Sequence, residues 1–307
     1  MSLIALVAAL LIEQWRPLAD RRYLYTQGER YANFLETQFN AEETEHGAVA
    51  WLLAVLPAVL GAWVVYELAY RISPVLALLF NVAALYVTMG FRQRSHYFTD
   101  IHLALKNDEV AKARQILGAW RGTNCEDLDR EAVTRLTIEE ALTASHRYVF
   151  GVAFWFMILP GPTGAILYRI ARFLDRRWSP EEAPQLERFG RFTRDAFAVL
   201  DWLPVRFTGV AFAIVGNFED AVYCWRTQAS RWSDRALGIV LASGAGAMGV
   251  KLGMPILQRG QLVDRPELGT GDAADIGHLD STVGLVWRAL VLWLVLILLF
   301  GIAAALS

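Results

Sequence analysis

The sequence predicts an all-α fold, a polytopic integral membrane bundle with broken or re-entrant helices and a polar helical cap. The stretch 282–306 contains a single charge, Arg288, and a bilayer core needs roughly 20 apolar helical residues. The whole chain of 307 residues is 55% apolar with 11 Trp and a mean hydropathy of +0.32, which is unusual for a soluble domain. In the polar stretch 92–147, apolar residues recur at spacings of three and four, the period of a helix.

The apolar stretches come in order along the chain. Met1–Ile12 lacks a basic leader and a small-residue cleavage site, so we expect it to remain as a short helix and not to be a removed signal peptide. Three later stretches have the length and the lack of charge of membrane spans, and a tight hairpin joins the first two. These predicted spans are Ala48–Leu68, Pro74–Phe91 and Val283–Leu306.

A helix break is predicted inside Tyr148–Ile170, at Pro160, Gly161 and Pro162. Proline removes a backbone donor and glycine permits a sharp turn. In lipid, a break persists only where protein or a water-filled cavity satisfies the freed carbonyls, so this one points to a site. Two other stretches are too polar or too rich in small residues to face lipid throughout, Leu200–Gly216 and Ala236–Gly253.

The polar stretch 92–147 is predicted to be an all-helical insertion. Asn107-Asp108 is expected to start a fresh helix with Glu109 in its first turn, and Leu128–Ser145 forms a further amphipathic run. No repeat or linker separates a second domain. We therefore expect one domain over 1–307, with the insertion at 92–147.

Charge and motifs exclude several classes of protein. Lys and Arg number 29 against 31 Asp and Glu, so the chain has no basic footprint for nucleic acid. It lacks GxxxxGK[ST], a GxGxxG after a strand, and GxSxG, which are the common nucleotide and hydrolase motifs. Cys125 and Cys224 form no CxxC and are expected to be free thiols.

Two polar clusters lie beside or within apolar stretches. His96 and Asp100 share a helical face just after a predicted span; this face suits an anion, a metal or lipid headgroups. Asp201 and Arg206 enter an apolar run, where ionisable side chains must be paired or line a cavity. They form either a structural salt bridge, bent together by Pro204, or part of a ligand site.

The third polar cluster runs from Gly244 to Asp280 and combines glycines with Lys, Arg and Asp residues. Glycines allow a backbone to approach a ligand closely, and carboxylates after a glycine turn can hold Mg²⁺ through waters. The alternative is close helix packing through GxxxG-like spacing, followed by an Asp-rich capped loop.

Four segments stand in an order along the chain that carries a family resemblance: 161–169, 200–206, 247–253 and 265–269. This ordered series resembles the CobD/CbiB family of cobalamin-biosynthesis membrane proteins and its AmpE-like relatives. The resemblance implies a multi-pass protein of the bacterial cytoplasmic (inner) membrane. It also implies an ATP-dependent amide ligase that joins adenosylcobyric acid to aminopropanol or its phosphate and uses Mg²⁺.

The chain departs from the family pattern after Glu139. Where the family has Glu-Asn-Thr-Ser-Asp-Gly, residues 143–148 read Thr-Ala-Ser-His-Arg-Tyr. This departure favours a divergent member, a ligand-binding sensor or signalling modulator without full synthase chemistry. The alternative is a working adenosylcobinamide-phosphate synthase, which alone would require ATP and Mg²⁺.

The candidate site lies between the broken segment, the 201–206 turn and the glycine-rich loop. Partners implied are membrane lipid, a corrinoid or other anionic small molecule, and a second copy in a homodimer. Glu139 is expected to orient a metal-bound water or substrate amine. The candidate residues are Glu139 and Asp272 for catalysis, Asp272 and Asp275 for Mg²⁺, Arg169, Arg206, Lys251 and Arg265 for phosphate or carboxylate, and Asp201, Gly269 and Gly271 for further ligand contacts.

Overall fold

The computed structural model describes residues 2–15, 22–39, 44–180, 182–258 and 260–306. The all-α prediction is confirmed, because helices account for nearly all regular structure in these ranges. The helices are α1 Ser2–Trp15, α2 Arg22–Gln38, α3 Thr44–Ile72, α4 Pro74–Thr88, α5 Phe91–Lys106, α6 Val110–Arg121, α7 Arg130–Ser145, α8 Gly151–Ile158, α9 Thr163–Arg177, α10 Gly190–Val215, α11 Phe218–Gln228, α12 Arg235–Met248 and α13 Ile276–Leu306.

Contacts between Cα atoms divide the chain into two compact units. The first consists of Met1–Gly90 and Gly151–Pro204, and the second of Phe91–Phe150 and Val205–Ser307. The organisation as one domain over 1–307 stays a prediction.

In the first unit, an apolar core forms between α2, α3, α9 and the segment that precedes α10. Trp178 is fully buried there and packs edge-on against Phe189, with ring centroids 4.8 Å apart. The indole Nε1 donates a hydrogen bond of 2.7 Å to Glu36 Oε1. The polar N–H group of the buried ring therefore has a hydrogen-bond partner.

The predicted helix break is confirmed, since α8 ends at Ile158 and α9 begins at Thr163. Gly161 takes a left-handed conformation with φ +61°. The Thr163 hydroxyl donates to the Pro160 carbonyl at 2.7 Å. Gly164 approaches the Trp155 carbonyl so closely that a Cβ would lie 1.9 Å from the oxygen. The break is therefore stabilised within this unit, while its re-entrant placement in a membrane stays a prediction.

Three of the described helices are long and apolar enough to cross a membrane: His46–Ile72, Gly190–Val215 and Ile276–Ala303. The first and third contain most of two predicted spans. The span predicted at Pro74–Phe91 is a helix of 15 residues that ends at Thr88, about 22 Å long at 1.5 Å per residue. The stretch 200–216 belongs to a longer helix, α10, which begins at Gly190. Asp201 lies within this helix and is only 2% exposed, so its carboxylate is kept away from the surface.

In the second unit, α7 is the most buried of the polar helices and contacts α5, α6, α12 and α13. Its start is capped by Asp129, whose Oδ1 accepts a 2.7 Å hydrogen bond from the Ala132 amide. The helix predicted to start at Asn107-Asp108 begins later, at Val110, because Asp108 adopts φ +63° and its carboxylate pairs with Arg130. Cys125 and Cys224 are free and buried, and burial raises the pKa of both thiols.

Small residues bring α12 against its neighbours, as the close-packing alternative predicted. A Cβ on Gly246 would lie 2.4 Å from the Asp220 carbonyl oxygen, and one on Gly238 would lie 2.2 Å from that of Ala229. Two strands not predicted from the sequence follow α12. They are β1 Ile256–Gln258 and β2 Gln261–Val263, which pair antiparallel with Ile256 opposite Val263; strands this short contain too few residues to show a two-residue period.

Candidate functional site

Glu139 and Arg265 form a buried ion pair in the second unit. Their side chains are 8% and 12% exposed. The other carboxylate oxygen of Glu139 accepts a 2.9 Å hydrogen bond from the Gly253 amide, and the Arg265 guanidinium lies 4.9 Å from the ring centroid of Trp232. Glu139 is thus engaged at both oxygens, and it fixes Arg265 against an aromatic face.

A glycine-rich double loop, residues 249–254 and 266–272, lies next to this pair along the chain. Leu252 and Leu268 exchange backbone hydrogen bonds of 2.7 and 2.9 Å. The Gln228 side chain accepts from the Gly269 amide at 2.6 Å and donates to its carbonyl at 3.2 Å. These bonds give the double loop a fixed register.

Gly269 and Gly271 are required by the double loop itself. Both have φ +92°, which favours glycine. A Cβ would lie 2.1 Å from the Val250 oxygen in one case and 2.2 Å from the Gly249 oxygen in the other. Their proximity to other backbone atoms of the chain explains both glycines, and ligand binding by them stays a prediction.

Three residues predicted to bind Mg²⁺ or an anion lie on exposed loops. Asp272 is exposed, and Lys251 makes an exposed ion pair of 3.2 Å with Glu267. Asp275 caps α13: its Oδ1 accepts from the His278 amide at 3.0 Å. This backbone hydrogen bond, followed by that from the His278 side chain, holds the pKa of the Asp275 carboxyl below its ordinary value.

Within the described ranges, no group of three or more His, Cys, Asp and Glu side chains could hold a metal ion. Mg²⁺ commonly retains several waters and binds through one or two carboxylates plus substrate phosphates. Asp272 and Asp275 are exposed carboxylates of the kind that this mode of binding uses, and Mg²⁺ binding by them stays a prediction.

Two predicted ligand residues belong to the first unit. Asp201 accepts a 2.8 Å hydrogen bond from the Tyr168 hydroxyl, and both side chains are buried. Arg169 lies on α9 of the same unit, whereas Arg206, two residues beyond Pro204 in α10, falls in the second unit. The structure therefore brings Glu139 to Arg265, places Lys251, Gly269, Gly271 and Asp272 in one double loop, and assigns Arg169 and Asp201 to the other unit.

A second carboxylate on α7, Glu140, was not predicted. Arg121 Nε lies 3.3 Å from Glu140 Oε1. Burial raises the pKa of the Glu140 carboxyl, and the neighbouring charge of Glu139 raises it further. Arg121 opposes this shift most strongly, and Arg147 and Arg94 lower the pKa by smaller amounts. Three guanidinium groups thus act on one half-buried carboxylate.

Each of these guanidinium groups is held by a neighbour. Arg147 Nη2 donates to Asp234 Oδ2 at 3.2 Å. Arg94 Nη2 donates to the Tyr148 hydroxyl at 2.7 Å and lies over the Tyr148 ring, 4.8 Å from its centroid. With Arg265 beside Glu139, these groups form what we term the arginine cluster: Arg94, Arg121, Arg147 and Arg265.

The arginine cluster escaped prediction because α5, α6, the π-helical turn His146–Phe150 and the segment after β2 each contribute one member. One local signal was present in the sequence. Glu139 and Glu140 are adjacent acids between apolar residues of a helix, and buried carboxylates require partners.

The fold and the site together define a helical membrane protein with a buried, arginine-rich polar centre in its second unit. The chain belongs to the CobD/Cbib family, since the family model described as CobD/Cbib protein matches residues 6–286. No solved structure matches the chain.

Curated relatives agree with this family. The "Cobalamin biosynthesis protein CobD" of Stutzerimonas stutzeri (strain A1501) is 34% identical over 97% of both chains. That of Chromobacterium violaceum is 35% identical over 80% of this chain and 77% of its own. The "Cobalamin biosynthesis protein CbiB" of Salmonella typhimurium is 25% identical over 82% of this chain and 80% of its own.

These relatives show that the sensor or signalling interpretation is wrong. Each is named for cobalamin biosynthesis, and these names favour a role in that pathway over an AmpE-like signalling role. The interpretation gave too much weight to residues 143–148, a short departure within a match that extends over nearly the whole chain.

Proposed function

We propose that this protein acts in cobalamin biosynthesis as an ATP-dependent ligase that joins adenosylcobyric acid to aminopropanol or its phosphate. The observation that carries the proposal is the match to the Stutzerimonas protein over 97% of both chains. We further propose a multi-pass location in the bacterial cytoplasmic (inner) membrane, supported by the three long apolar helices.

The proposed reaction needs several anionic groups to be held close together. The amide C–N bond forms while a carboxylate C–O bond breaks, and the oxygen leaves with the phosphate released as ATP becomes ADP. Mg²⁺ would supply charge neutralisation for the phosphates. The guanidinium groups of the second unit suit the same anions, because arginine binds carboxylate and phosphate through two parallel hydrogen bonds.

We propose a positioning role for Glu139, and its two contacts support that role. Both of its oxygens are engaged, by Arg265 and by the Gly253 amide, so it holds Arg265 in place for an anionic substrate. Asp272 and Asp275 are proposed for Mg²⁺ and Lys251 for a phosphate, with Gly269 and Gly271 shaping the double loop beside them.

For the remaining candidates of the first unit, we propose that Arg169 binds a phosphate or carboxylate group and that Asp201 makes a further ligand contact. Separately, we propose that Arg206 of the second unit binds an anionic group. Support comes from Asp201, which is buried in a helix that could cross a membrane, where ionisable residues are costly and commonly functional. Membrane lipid and a second copy of the chain are proposed partners, and nucleic acid is not.

The test is a ligation assay on full-length protein purified in detergent. Adenosylcobyric acid, aminopropanol or its phosphate, ATP and Mg²⁺ are supplied, and ADP and the corrinoid amide are measured. Asp272→Asn is expected to reduce turnover at limiting Mg²⁺ and to recover in part at high Mg²⁺. Asp264→Asn is the matched control, because Asp264 is also an exposed aspartate and is not among the residues proposed to bind Mg²⁺.

Stoichiometric ADP and amide from the wild-type protein would support the ligase. Folded, monodisperse protein that forms no amide with either amine would contradict it. Equal activity of Asp272→Asn and Asp264→Asn at every Mg²⁺ concentration would show that Asp272 does not bind Mg²⁺. The ligase proposal would be unaffected by that result.

A further inference from the structure

We propose that the arginine cluster is a subsite for a phosphate group, carried by the nucleotide or by the phosphorylated amino alcohol. This inference rests on the proposed ligase function and adds to it the residues that would recognise phosphate. All four arginines and their contacts lie within the second unit.

The charges in the cluster do not balance. Four guanidinium groups are met by three carboxylates in the described contacts, which leaves one positive charge in excess. The carboxylates are Glu139, Glu140 and Asp234. Because a charge removed from water needs a partner, a bound anion would complete the cluster.

Two guanidinium groups of the cluster have an unsatisfied hydrogen-bond donor. Among the described residues, Arg147 Nε and Arg265 Nη1 are buried and have no hydrogen-bond partner. An unsatisfied buried donor costs about 1–3 kcal/mol, and more when charged. The oxygens of a phosphate are hydrogen-bond acceptors of the kind that each of these donors lacks.

The arginines are held in place before any anion binds. Arg94 lies over Tyr148 and Arg265 over Trp232, while Arg121 is held by Glu140. Side chains fixed by aromatic faces and ion pairs lose little further rotamer freedom on binding, which favours affinity.

Asp234 occupies a position that a phosphate would compete for. Its Oδ1 caps α12 by accepting from the Ala236 and Leu237 amides at 2.9 and 3.1 Å. Its Oδ2 accepts from Arg147, and the side chain is 44% exposed. An asparagine would retain the cap and remove the negative charge, so Asp234→Asn and Arg147→Gln should change phosphate affinity in opposite directions.

The experiment measures binding to full-length protein in detergent by calorimetry, without turnover. Inorganic phosphate, ATP without metal, aminopropanol phosphate and unphosphorylated aminopropanol are the four probes. Arg147→Gln should weaken binding of a phosphate probe by about 10- to 100-fold, the effect of a charge-assisted hydrogen bond. Asp234→Asn should strengthen it by up to about 5-fold.

Arg130→Gln is the matched control. Like Arg147, Arg130 pairs with an aspartate, Asp108, but it is 44% exposed and lies outside the cluster. Phosphate affinity should be unchanged in this variant, and Arg147→Lys should recover part of the affinity lost in Arg147→Gln because it retains the charge.

Opposite shifts for the two variants with any phosphate probe support the subsite, and the probe affected identifies the source of the phosphate. Absence of phosphate binding by folded wild-type protein, or equal losses in Arg147→Gln and Arg130→Gln, would overturn it. The ligation assay distinguishes the two proposals. If Arg147→Gln turns over substrate with unchanged KM values, the subsite is wrong and the ligase proposal is unaffected. If phosphate binding changes in Arg147→Gln and Asp234→Asn but the wild-type protein shows no turnover, the ligase proposal is wrong and the subsite is unaffected.

Discussion

Two adjacent glutamates on α7 have different roles at the residue scale. Glu139 is nearly buried and is matched by Arg265 and a backbone amide. Glu140 retains 31% exposure and meets Arg121, yet burial dominates its pKa. Neighbouring residues on a helix point about 100° apart, so these identical side chains have different surroundings.

Glu139→Gln is expected to lower the free energy of unfolding by about 3 kcal/mol, because it leaves the Arg265 charge buried without its carboxylate. Denaturant unfolding in detergent measures the loss. Glu109→Gln is the control: its ion pair with Lys112 is exposed on both sides, so its cost should stay below about 1 kcal/mol. Similar losses in both variants would contradict a structural role for the buried pair.

Glu140→Gln is expected to change how stability depends on pH. The folded-state pKa of Glu140 is raised by burial, so ionisation costs the folded protein stability as the pH rises above the unfolded glutamate pKa of about 4.3. A glutamine side chain does not ionise, so the variant does not lose this stability. Its free energy of unfolding relative to wild type should therefore increase with pH. Unfolding curves from acidic to mildly alkaline pH test this; a difference that shrinks as the pH rises would contradict it.

At the element scale, the double loop depends on conformations that only glycine adopts easily. The sequence suggested a site where backbone approaches a ligand, but the structure shows Gly269 and Gly271 approaching the chain's own carbonyls. The helix break at 160–162 is likewise stabilised locally, by the Thr163 hydroxyl. In both elements, close backbone contacts explain residues that also looked like candidates for a ligand site.

Gly269→Ala is expected to destabilise the protein by about 3 kcal/mol or more, because a positive φ is combined with a Cβ overlap against the Val250 oxygen. Gly249→Ala is the matched control. It also has a positive φ, +68°, but no atom lies within 4 Å of its Cβ position, so its cost should be about 1–2 kcal/mol. Thermal unfolding of both variants measures the difference; equal losses would show that backbone conformation alone requires the glycine.

At the scale of the whole molecule, three long apolar helices indicate an integral membrane protein. Their outward residues include Leu60, Val291 and Phe300, all more than half exposed, and such surfaces are stable in lipid and not in water.

We expect the full-length protein to remain in the membrane pellet through an alkaline carbonate wash and to be released only by detergent. The physical reason is the cost of exposing about 20 apolar residues per span to water. Immunoblots of washed membrane fractions test this, with a peripheral protein of the same membranes as control. Release of the protein by carbonate would contradict integral insertion.

The amino-acid sequence by itself determined the helical class, two of the three long apolar helices and the break at Pro160–Pro162. These features depend on local properties: the length of an apolar run, the period of a helix and the missing donor of proline. The sequence also identified Glu139, Arg265 and the double-loop residues as candidates, and the resemblance of their segments indicated the family that the comparisons confirmed.

Only the tertiary structure decided which charged residues meet. Arg94, Arg121, Arg147 and Arg265 come from separate segments, and no local pattern indicates that they converge on α7. The tertiary structure also decided that α4 ends after 15 residues and that α10 extends through Asp201. A long apolar helix can contain Asp201 because the side chain is buried against Tyr168, whose hydroxyl donates a hydrogen bond to it. Burial and ion pairing depend on what surrounds a side chain, and those surroundings exist only in the folded chain.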